Sequence, residues 1–124
     1  MIKFDKFTLT SLGLILIDQI SKFLLESSKN YGAAFSILQG WKWLFILVGF
    51  FVIGFILYYK DKIKGYGYYG LILLFSGTIG NLVDRLVFGY VRDFIDLGFW
   101  PSFNLADSFN TIGVILLIIY FWKR

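Results

Sequence analysis

Two aspartates that could act on a water molecule each follow an asparagine by three residues. Asn81 precedes Asp84, and Asn104 precedes Asp107. Residues three or four apart lie along one face of a helix, so each asparagine should project beside its aspartate. Two adjacent carboxylates in a poorly solvated site tend to share one proton. The ionised member can then activate water while the protonated member protonates a leaving group, which is acid–base hydrolysis.

Composition excludes most other hydrolytic chemistries. The chain of 124 residues has no cysteine and no histidine, so it lacks thiol nucleophiles, Ser–His–Asp triads and histidine-bound zinc sites. Hydrolysis must therefore use carboxylates or a serine with a lysine base. The formal net charge of +4 is not gathered into a large basic cluster, so nucleic acid is not an expected partner.

The elements that must position these side chains are four apolar stretches. Only 16% of the residues are charged and 58% are hydrophobic, too little charge to cover a soluble core. The stretches are long enough to span a bilayer and run over residues 7–25, 41–59, 66–86 and 105–122. No small-residue cleavage site follows the first stretch, so we expect it to be retained. The predicted fold is an all-α, four-transmembrane-helix bundle with little or no β structure, forming one domain over residues 1–124.

Charge distribution predicts the orientation of this bundle. With both termini cytoplasmic, the inner side carries the basic residues Lys3, Lys6, Lys60, Lys62, Lys64, Lys123 and Arg124. The outer side carries most of the acids, which are Asp18, Glu26, Asp84, Asp93, Asp96 and Asp107. Trp41, Trp43 and Trp100 would form an outer aromatic belt.

This topology brings polar residues from three spans to the outer face, where ionisable groups are costly and usually functional. They are Asp18 and Lys22 in the first span, Asn81, Asp84 and Arg85 in the third, and Asn104 and Asp107 in the fourth. Gly77 and Gly80 allow a neighbouring helix to approach the third span closely. Asp107 would begin a helix and Asp84 would end one, so the helix dipoles favour Asp107 as the base and Asp84 as the acid.

Each of these features also has an ordinary structural interpretation. Asn104 with Asp107 forms a common helix N-cap pattern. Asp18 and Lys22 stand four residues apart and are expected to pair structurally. Asp93 and Asp96 fall in a predicted loop, where carboxylates are usually solvated. Asn110, one turn beyond Asp107, could be a polar packing contact.

Five motifs in order resemble the lipoprotein signal peptidases (signal peptidase II). They are Asp18-Gln19-Ile20-Ser21-Lys22, Asn30-Tyr31-Gly32-Ala33-Ala34-Phe35-Ser36, Gly80-Asn81-Leu82-Val83-Asp84-Arg85, Val91-Arg92-Asp93-Phe94-Ile95-Asp96 and Phe103-Asn104-Leu105-Ala106-Asp107-Ser108. The resemblance implies a metal-free, cofactor-free aspartyl endopeptidase of the bacterial inner membrane that globomycin inhibits. Its substrate would be a prolipoprotein cut just before a diacylglyceryl-modified cysteine, and the chain would act as a monomer among membrane lipids.

The resemblance also implies roles for individual residues. Asp84 and Asp107 match the catalytic pair. Asn30, Asn81, Arg85 and Asn104 match polar residues around it, while Asp18 and Lys22 match a motif that supports the fold. Asn30, or the backbone of residues 32–34, could orient the peptide. The chain departs from the family between Lys22 and Asn30, where a longer outer segment usually forms a β platform, so this platform should be reduced or absent.

Three other functions compete with this interpretation. A four-span transporter of the small multidrug resistance type fits the length, but it would need acids near the centres of the spans. A non-enzymatic scaffold would not need the asparagine–aspartate pairs. A serine–lysine protease would need contact between Lys22 and Ser108, because Ser21 and Lys22 are adjacent and diverge on a helix.

Overall fold

Four long helices and two short strands make up the computed structural model, which describes residues 4–33 and 38–123. In chain order they are α1 (Lys6–Leu24), β1 (Ser28–Asn30), α2 (Lys42–Tyr59), α3 (Tyr66–Val87), β2 (Val91–Asp93) and α4 (Leu105–Trp122). All four helices are long and apolar enough to cross a membrane. Each helix begins and ends within one residue of the bounds predicted from sequence, and the predicted four-helix fold is confirmed.

Local sequence explains where the helices begin. Asp5 caps α1, because its carboxylate accepts a hydrogen bond from the Thr8 backbone N–H at 2.9 Å. Asn104 and Asp107 form a reciprocal capping box at the start of α4. Gly65 precedes α3 with a φ of 64°, a left-handed conformation that favours glycine. The predicted N-cap pattern at Asn104 is therefore present.

The third helix lies at the centre of the bundle and packs against each of the other three. Ten of its 22 residues are buried, a larger share than in any other helix. A Cβ atom at Gly77 would overlap the Ala106 carbonyl of α4, and one at Gly80 would overlap the Asp18 carboxylate of α1. These glycines therefore permit the close approach expected from the sequence, and they bring α1 and α4 against the same turn of α3.

A small antiparallel sheet covers one end of the bundle. Strand β1 pairs with β2 so that Ser28 lies opposite Asp93 and Asn30 lies opposite Val91. Because β1 follows α1 and β2 follows α3, the last turns of α1 and α3 and the first turns of α2 and α4 meet here, at what we call the sheet end. Two strands of three residues agree with the reduced platform expected from the short segment after Lys22.

The other end of the bundle has a different interior. Its core consists of apolar side chains: Phe7, Ile56, Ile63, Leu71, Ile72, Leu117 and Tyr120. Its charged side chains lie at the surface, where Lys6 bonds the Tyr69 hydroxyl at 2.5 Å and Lys60 pairs with Asp5 at 3.2 Å. Lys3 and Arg124, which contribute to the predicted orientation, lie outside the described residues.

Candidate active site

Buried polar side chains are concentrated at the sheet end. Each of the following is at most 5% exposed: Asp18, Lys22, Asn30, Asn81, Asp84, Asp93, Asn104 and Asp107. All of them except Asp93 were site candidates from the sequence. Burying so many charged and polar groups is tolerated only when they bond one another, so their partners decide what each can do.

Asp84 is held by cations. The Arg92 side chain donates from Nη2 to Oδ1 at 2.9 Å and from Nε to Oδ2 at 3.2 Å, and the Arg92 backbone N–H donates to Oδ2 at 2.9 Å. The Lys22 ammonium lies 3.3 Å from Oδ2, and Gln19 donates to Oδ1 at 3.2 Å. Within the described residues no hydrogen bond or ion pair joins Asp84 to Asp107. Lys22 and Asn81 connect them instead, because Lys22 contacts both Asp84 and Asn81, and Asn81 donates to Asp107.

Asp18 belongs to the same ionic network. Its Oδ2 lies 2.8 Å from the Lys22 Nζ, which is the pairing predicted from their spacing. Its Oδ1 accepts a hydrogen bond from the Ala106 backbone N–H at 2.9 Å, which ties α1 to the first turn of α4. We call Asp18 and Asp84 the cation-held pair. Lys22 contacts both carboxylates, and within the described residues no hydrogen bond joins it to Ser108, the contact that a serine–lysine protease would need.

Asp107 is held by neutral groups. Its Oδ1 accepts from the Asn81 side-chain amide at 2.9 Å, and its Oδ2 accepts from the Asn104 backbone N–H at 3.1 Å. Asn81 in turn accepts from Lys22 at 3.1 Å, so one amide separates the ammonium from the carboxylate. No cation of the described residues forms an ion pair with Asp107.

Asp93, at the end of β2, is the second carboxylate held by neutral groups. Asn104 Nδ2 donates to its Oδ1 at 2.9 Å, and Asn30 Nδ2 donates to its Oδ2 at 3.1 Å. Asn104 therefore binds Asp93 through its side chain and Asp107 through its backbone. Burial, with a further contribution from the charge of Asp107, raises the pKa of Asp93 to about 7. We call Asp93 and Asp107 the amide-held pair.

The interpretation of Asp93 as a solvated loop carboxylate is wrong, since Asp93 is only 2% exposed. Asp96, three residues on, is exposed as expected and caps the turn at Gly98. The feature that could have indicated this burial is strand alternation over Val91-Arg92-Asp93. The side chains of Val91 and Asp93 are buried, and that of Arg92 is less so. Three residues are too few for this alternation to be distinguished from a loop.

Arg85 and Asn30 organise the chain that follows β1. Arg85 Nη2 donates to the Gly32 carbonyl at 2.9 Å, and its guanidinium lies over the Phe45 ring. Asn30 accepts from the Gly32 backbone N–H at 2.9 Å and donates to the Ala33 carbonyl at 2.7 Å. The expected role of the backbone of residues 32–34 in orienting a peptide extends to Ala34, which lies outside the described residues.

A cavity inside the bundle leads to the amide-held pair. It has a volume of about 240 Å³ and lies between α2, α3 and α4, with Asp107, Asn81 and Arg85 among its lining residues. Its remaining walls are largely apolar.

Comparison with known proteins gives one consistent result. A family profile described as signal peptidase (SPase) II matches residues 7–123. The chain is 48% identical over 104 residues to a lipoprotein signal peptidase of Halothermothrix orenii, covering 82% of this chain and 72% of the relative. It is 45% identical over 120 residues to a lipoprotein signal peptidase of Streptococcus agalactiae, covering 89% and 78%. A solved bacterial membrane enzyme superimposes with a TM-score of 0.85 and 32% identity, covering 94% of this chain and 87% of that one.

Proposed function

Because the chain belongs to the signal peptidase II family, we propose that it is an aspartyl endopeptidase that removes signal peptides from prolipoproteins within the membrane. Family membership supports lipoprotein signal peptide processing. The aspartyl mechanism is our proposal, as is cleavage just before a diacylglyceryl-modified cysteine. The structural relation to a bacterial membrane enzyme and the four spans support a multi-pass membrane location.

The observation that carries the mechanism is the single asparagine between two carboxylates that lack cations. Asn104 binds Asp93 and Asp107 at once, through bonds of 2.9 and 3.1 Å. Two such carboxylates cannot both ionise cheaply, so they hold one proton between them. We assign this proton to Asp93 in the resting state, in keeping with its raised pKa, and the base role to Asp107. The acid role expected for Asp84 thus passes to Asp93.

The reaction then needs only this pair and water. Asp107 accepts a proton from water as the water oxygen bonds to the scissile carbonyl carbon. Asp93 donates its proton to the amide nitrogen as the carbon–nitrogen bond breaks. The products are the signal peptide carboxyl and the cysteine amine, and the pair again holds one proton, now on Asp107. Transfer of that proton back to Asp93 restores the resting state.

We further propose that the sheet end faces the outside of a bacterial cytoplasmic membrane and that both termini are cytoplasmic. The excess of acids at the sheet end and of lysines in the turn from Lys60 to Lys64 supports this orientation. A scissile bond anchored by lipid would then lie at the depth of the amide-held pair. The transporter alternative gains no support, since the buried charged side chains of the described residues lie together at the sheet end rather than at graded depths.

The test is cleavage of a purified, diacylglyceryl-modified prolipoprotein, with globomycin as the inhibitor implied by the family resemblance. Asp93→Asn and Asp107→Asn should each lower kcat by about 10²- to 10⁴-fold, the usual contribution of acid–base catalysis. Asp96→Asn is the matched control, because Asp96 is exposed and lies three residues from Asp93. Wild-type activity in either of the first two variants would refute the mechanism, and an inactive but folded wild type would refute the function.

A further inference from the structure

Three cavities open onto the amide-held pair, and their linings differ. A polar cavity of about 520 Å³ lies beside Asp93 and includes Glu26. The cavity of about 240 Å³ between α2, α3 and α4 reaches Asp107 from inside the bundle. A third cavity, of about 370 Å³, lies between residues 97–103 and the first two turns of α4, and Asp107 is also one of its lining residues. The lining of this third cavity is almost entirely apolar.

This inference rests on the proposed reaction. Three parts of the substrate of that reaction meet at the scissile bond. The signal peptide lies on one side of the scissile bond, the mature chain lies on the other, and the cysteine sulfur carries a diacylglyceryl group. The two peptide segments carry backbone N–H and C=O groups that need partners. The acyl chains carry none, so a largely apolar cavity with the proposed base in its wall suits the diacylglyceryl group rather than either peptide segment.

The walls of the third cavity face the surroundings of the protein with apolar side chains. Phe99 is 83% exposed, Leu97 is 52% exposed and Trp100 is 49% exposed, while Ile112 on α4 is 49% exposed. No charged residue occurs from residue 97 to residue 106. A surface of this kind beside a membrane-spanning helix meets the bilayer interface, where aromatic residues are favoured.

We propose that this third cavity, here called the acyl cavity, binds one acyl chain of the substrate's diacylglyceryl group. The occupant is assigned to the substrate rather than to a membrane phospholipid because Asp107, the proposed base, forms part of the cavity wall. A chain tethered to the scissile cysteine can fill the cavity while the peptide bond lies at the carboxylates. A phospholipid in the same place would put its headgroup where the peptide must lie.

Binding of an acyl chain in the acyl cavity should position the substrate rather than provide free energy for removing the chain from the membrane. Lipid tails and apolar side chains are similar environments, so moving a chain between them releases little free energy. A chain held in the cavity does restrict where its cysteine can lie, and correct placement of a reacting bond strongly affects the rate. Filling the cavity should therefore lower kcat more than it raises KM.

The experiment compares substrates with long and with two-carbon acyl chains. In the wild type the long-chain substrate should have a kcat about tenfold higher, because only a long chain reaches into the cavity. Ile112→Trp, which fills the cavity, should bring this ratio close to one. Phe99→Ser should also lower it, and because Phe99 is a highly exposed loop residue this change should not impair folding.

A matched control lies on the same helix. A second apolar cavity of about 420 Å³ is lined by Ile118, Leu117 and Phe121 near the other end of α4. Ile118→Trp makes the same substitution at a similarly exposed isoleucine and should leave the long-to-short ratio unchanged. Thermal unfolding in detergent reports whether each variant is folded.

A photoreactive group at the end of the substrate acyl chain provides an independent readout. Labelling should fall within residues 97–112 and should disappear in Ile112→Trp. An unchanged long-to-short ratio in both Ile112→Trp and Phe99→Ser would overturn the inference, as would labelling elsewhere. So would equal labelling of residues 97–112 by a photoreactive phospholipid at saturating substrate. Each of these results presupposes that wild type cleaves, so they are distinct from failure of the proposed function.

Discussion

The sheet end holds two pairs of buried aspartates, and their partners differ in charge. Asp18 and Asp84 contact the Lys22 ammonium, and Asp84 also contacts the Arg92 guanidinium. Asp93 and Asp107 accept hydrogen bonds only from neutral amides within the described residues. Opposite charges favour the ionised form of a carboxylate, whereas neutral donors beside a second carboxylate favour a shared proton. Burial is thus common to all four aspartates, and in the proposed mechanism the charge of their partners separates the structural pair from the reactive pair.

The two pairs are linked through shared residues. Arg92, which binds Asp84, directly precedes Asp93, and Asn81 lies between Lys22 and Asp107. Asn104 also donates to the Arg92 carbonyl at 3.1 Å. The cation-held pair therefore fixes the strand and the helix turn that carry the amide-held pair. Asp84 is a positioning residue in this account, because it acts through Arg92.

The largest expected difference between the pairs is in stability. Asp84→Ala leaves Lys22 and Arg92 without their shared carboxylate, and breaking a buried ion pair typically lowers the free energy of unfolding by about 3–5 kcal/mol. Asp93→Asn removes a buried carboxylate that no cation neutralises, so it should lower the free energy of unfolding by much less. Unfolding followed by intrinsic fluorescence in detergent measures both. Equal destabilisation by the two variants would contradict the division into pairs.

A smaller effect is expected at Arg92. Arg92→Leu removes the charged hydrogen bonds to Asp84 while Lys22 remains, and it should cost about 1.5–3 kcal/mol of unfolding free energy. It should also lower the cleavage rate, because the strand that presents Asp93 loses its attachment. Arg92→Lys keeps the charge and loses the two-point contact, so its effect should be intermediate. An Arg92→Leu variant that loses stability but keeps the full cleavage rate would contradict this link between the two pairs.

The smallest effect is expected at Asn30. Its amide stabilises the ionised form of Asp93, so Asn30→Ala should raise the pKa of Asp93 above about 7. The acid form of Asp93 then persists to higher pH, and the alkaline limb of the pH–rate profile should move to higher pH. If the alkaline limb of the profile stayed in place or moved to lower pH, its assignment to the amide-held pair would be contradicted.

The pH dependence of stability has the same origin. The pKa of Asp93 rises from its ordinary value of 3.8 to about 7 on folding, so between these values the folded protein binds more protons than the unfolded chain. The contribution of Asp93 to stability is thus fully present below about pH 4 and is lost as the pH rises through about 7. Asp93→Asn should remove this decline, which unfolding measured across that range would show.

Sequence reasoning was successful where the determinants are local. Apolar runs defined the helices, spacing placed Asp18 with Lys22, and the N-cap pattern placed Asn104 with Asp107. It is less informative where a side chain has neighbours from two directions. Asn81 and Asp84 share one broad face of α3, but the central position of this helix lets Asn81 reach Asp107 while Asp84 meets Lys22 and Arg92.

The burial of Asp93, from which its proposed role is argued, could not be predicted for a related reason. Its burial depends on the pairing of β1 with β2, which brings together residues more than 60 positions apart in two strands too short to show a pattern. The partner that marks it, Asn104, was already explained by its capping role. One asparagine serving a helix cap and a second carboxylate is visible only in three dimensions.

Infrared difference spectroscopy of the protonated carboxyl stretch tests the shared proton most directly. Between pH 5 and about 7 the wild type should show a protonated carboxyl band that disappears as the pH rises through about 7. The band should be lost or strongly shifted in both Asp93→Asn and Asp107→Asn and unchanged in Asp96→Asn. A band that survives unaltered in Asp93→Asn would show that the proton resides elsewhere, and the amide-held pair would then not be the acid–base pair.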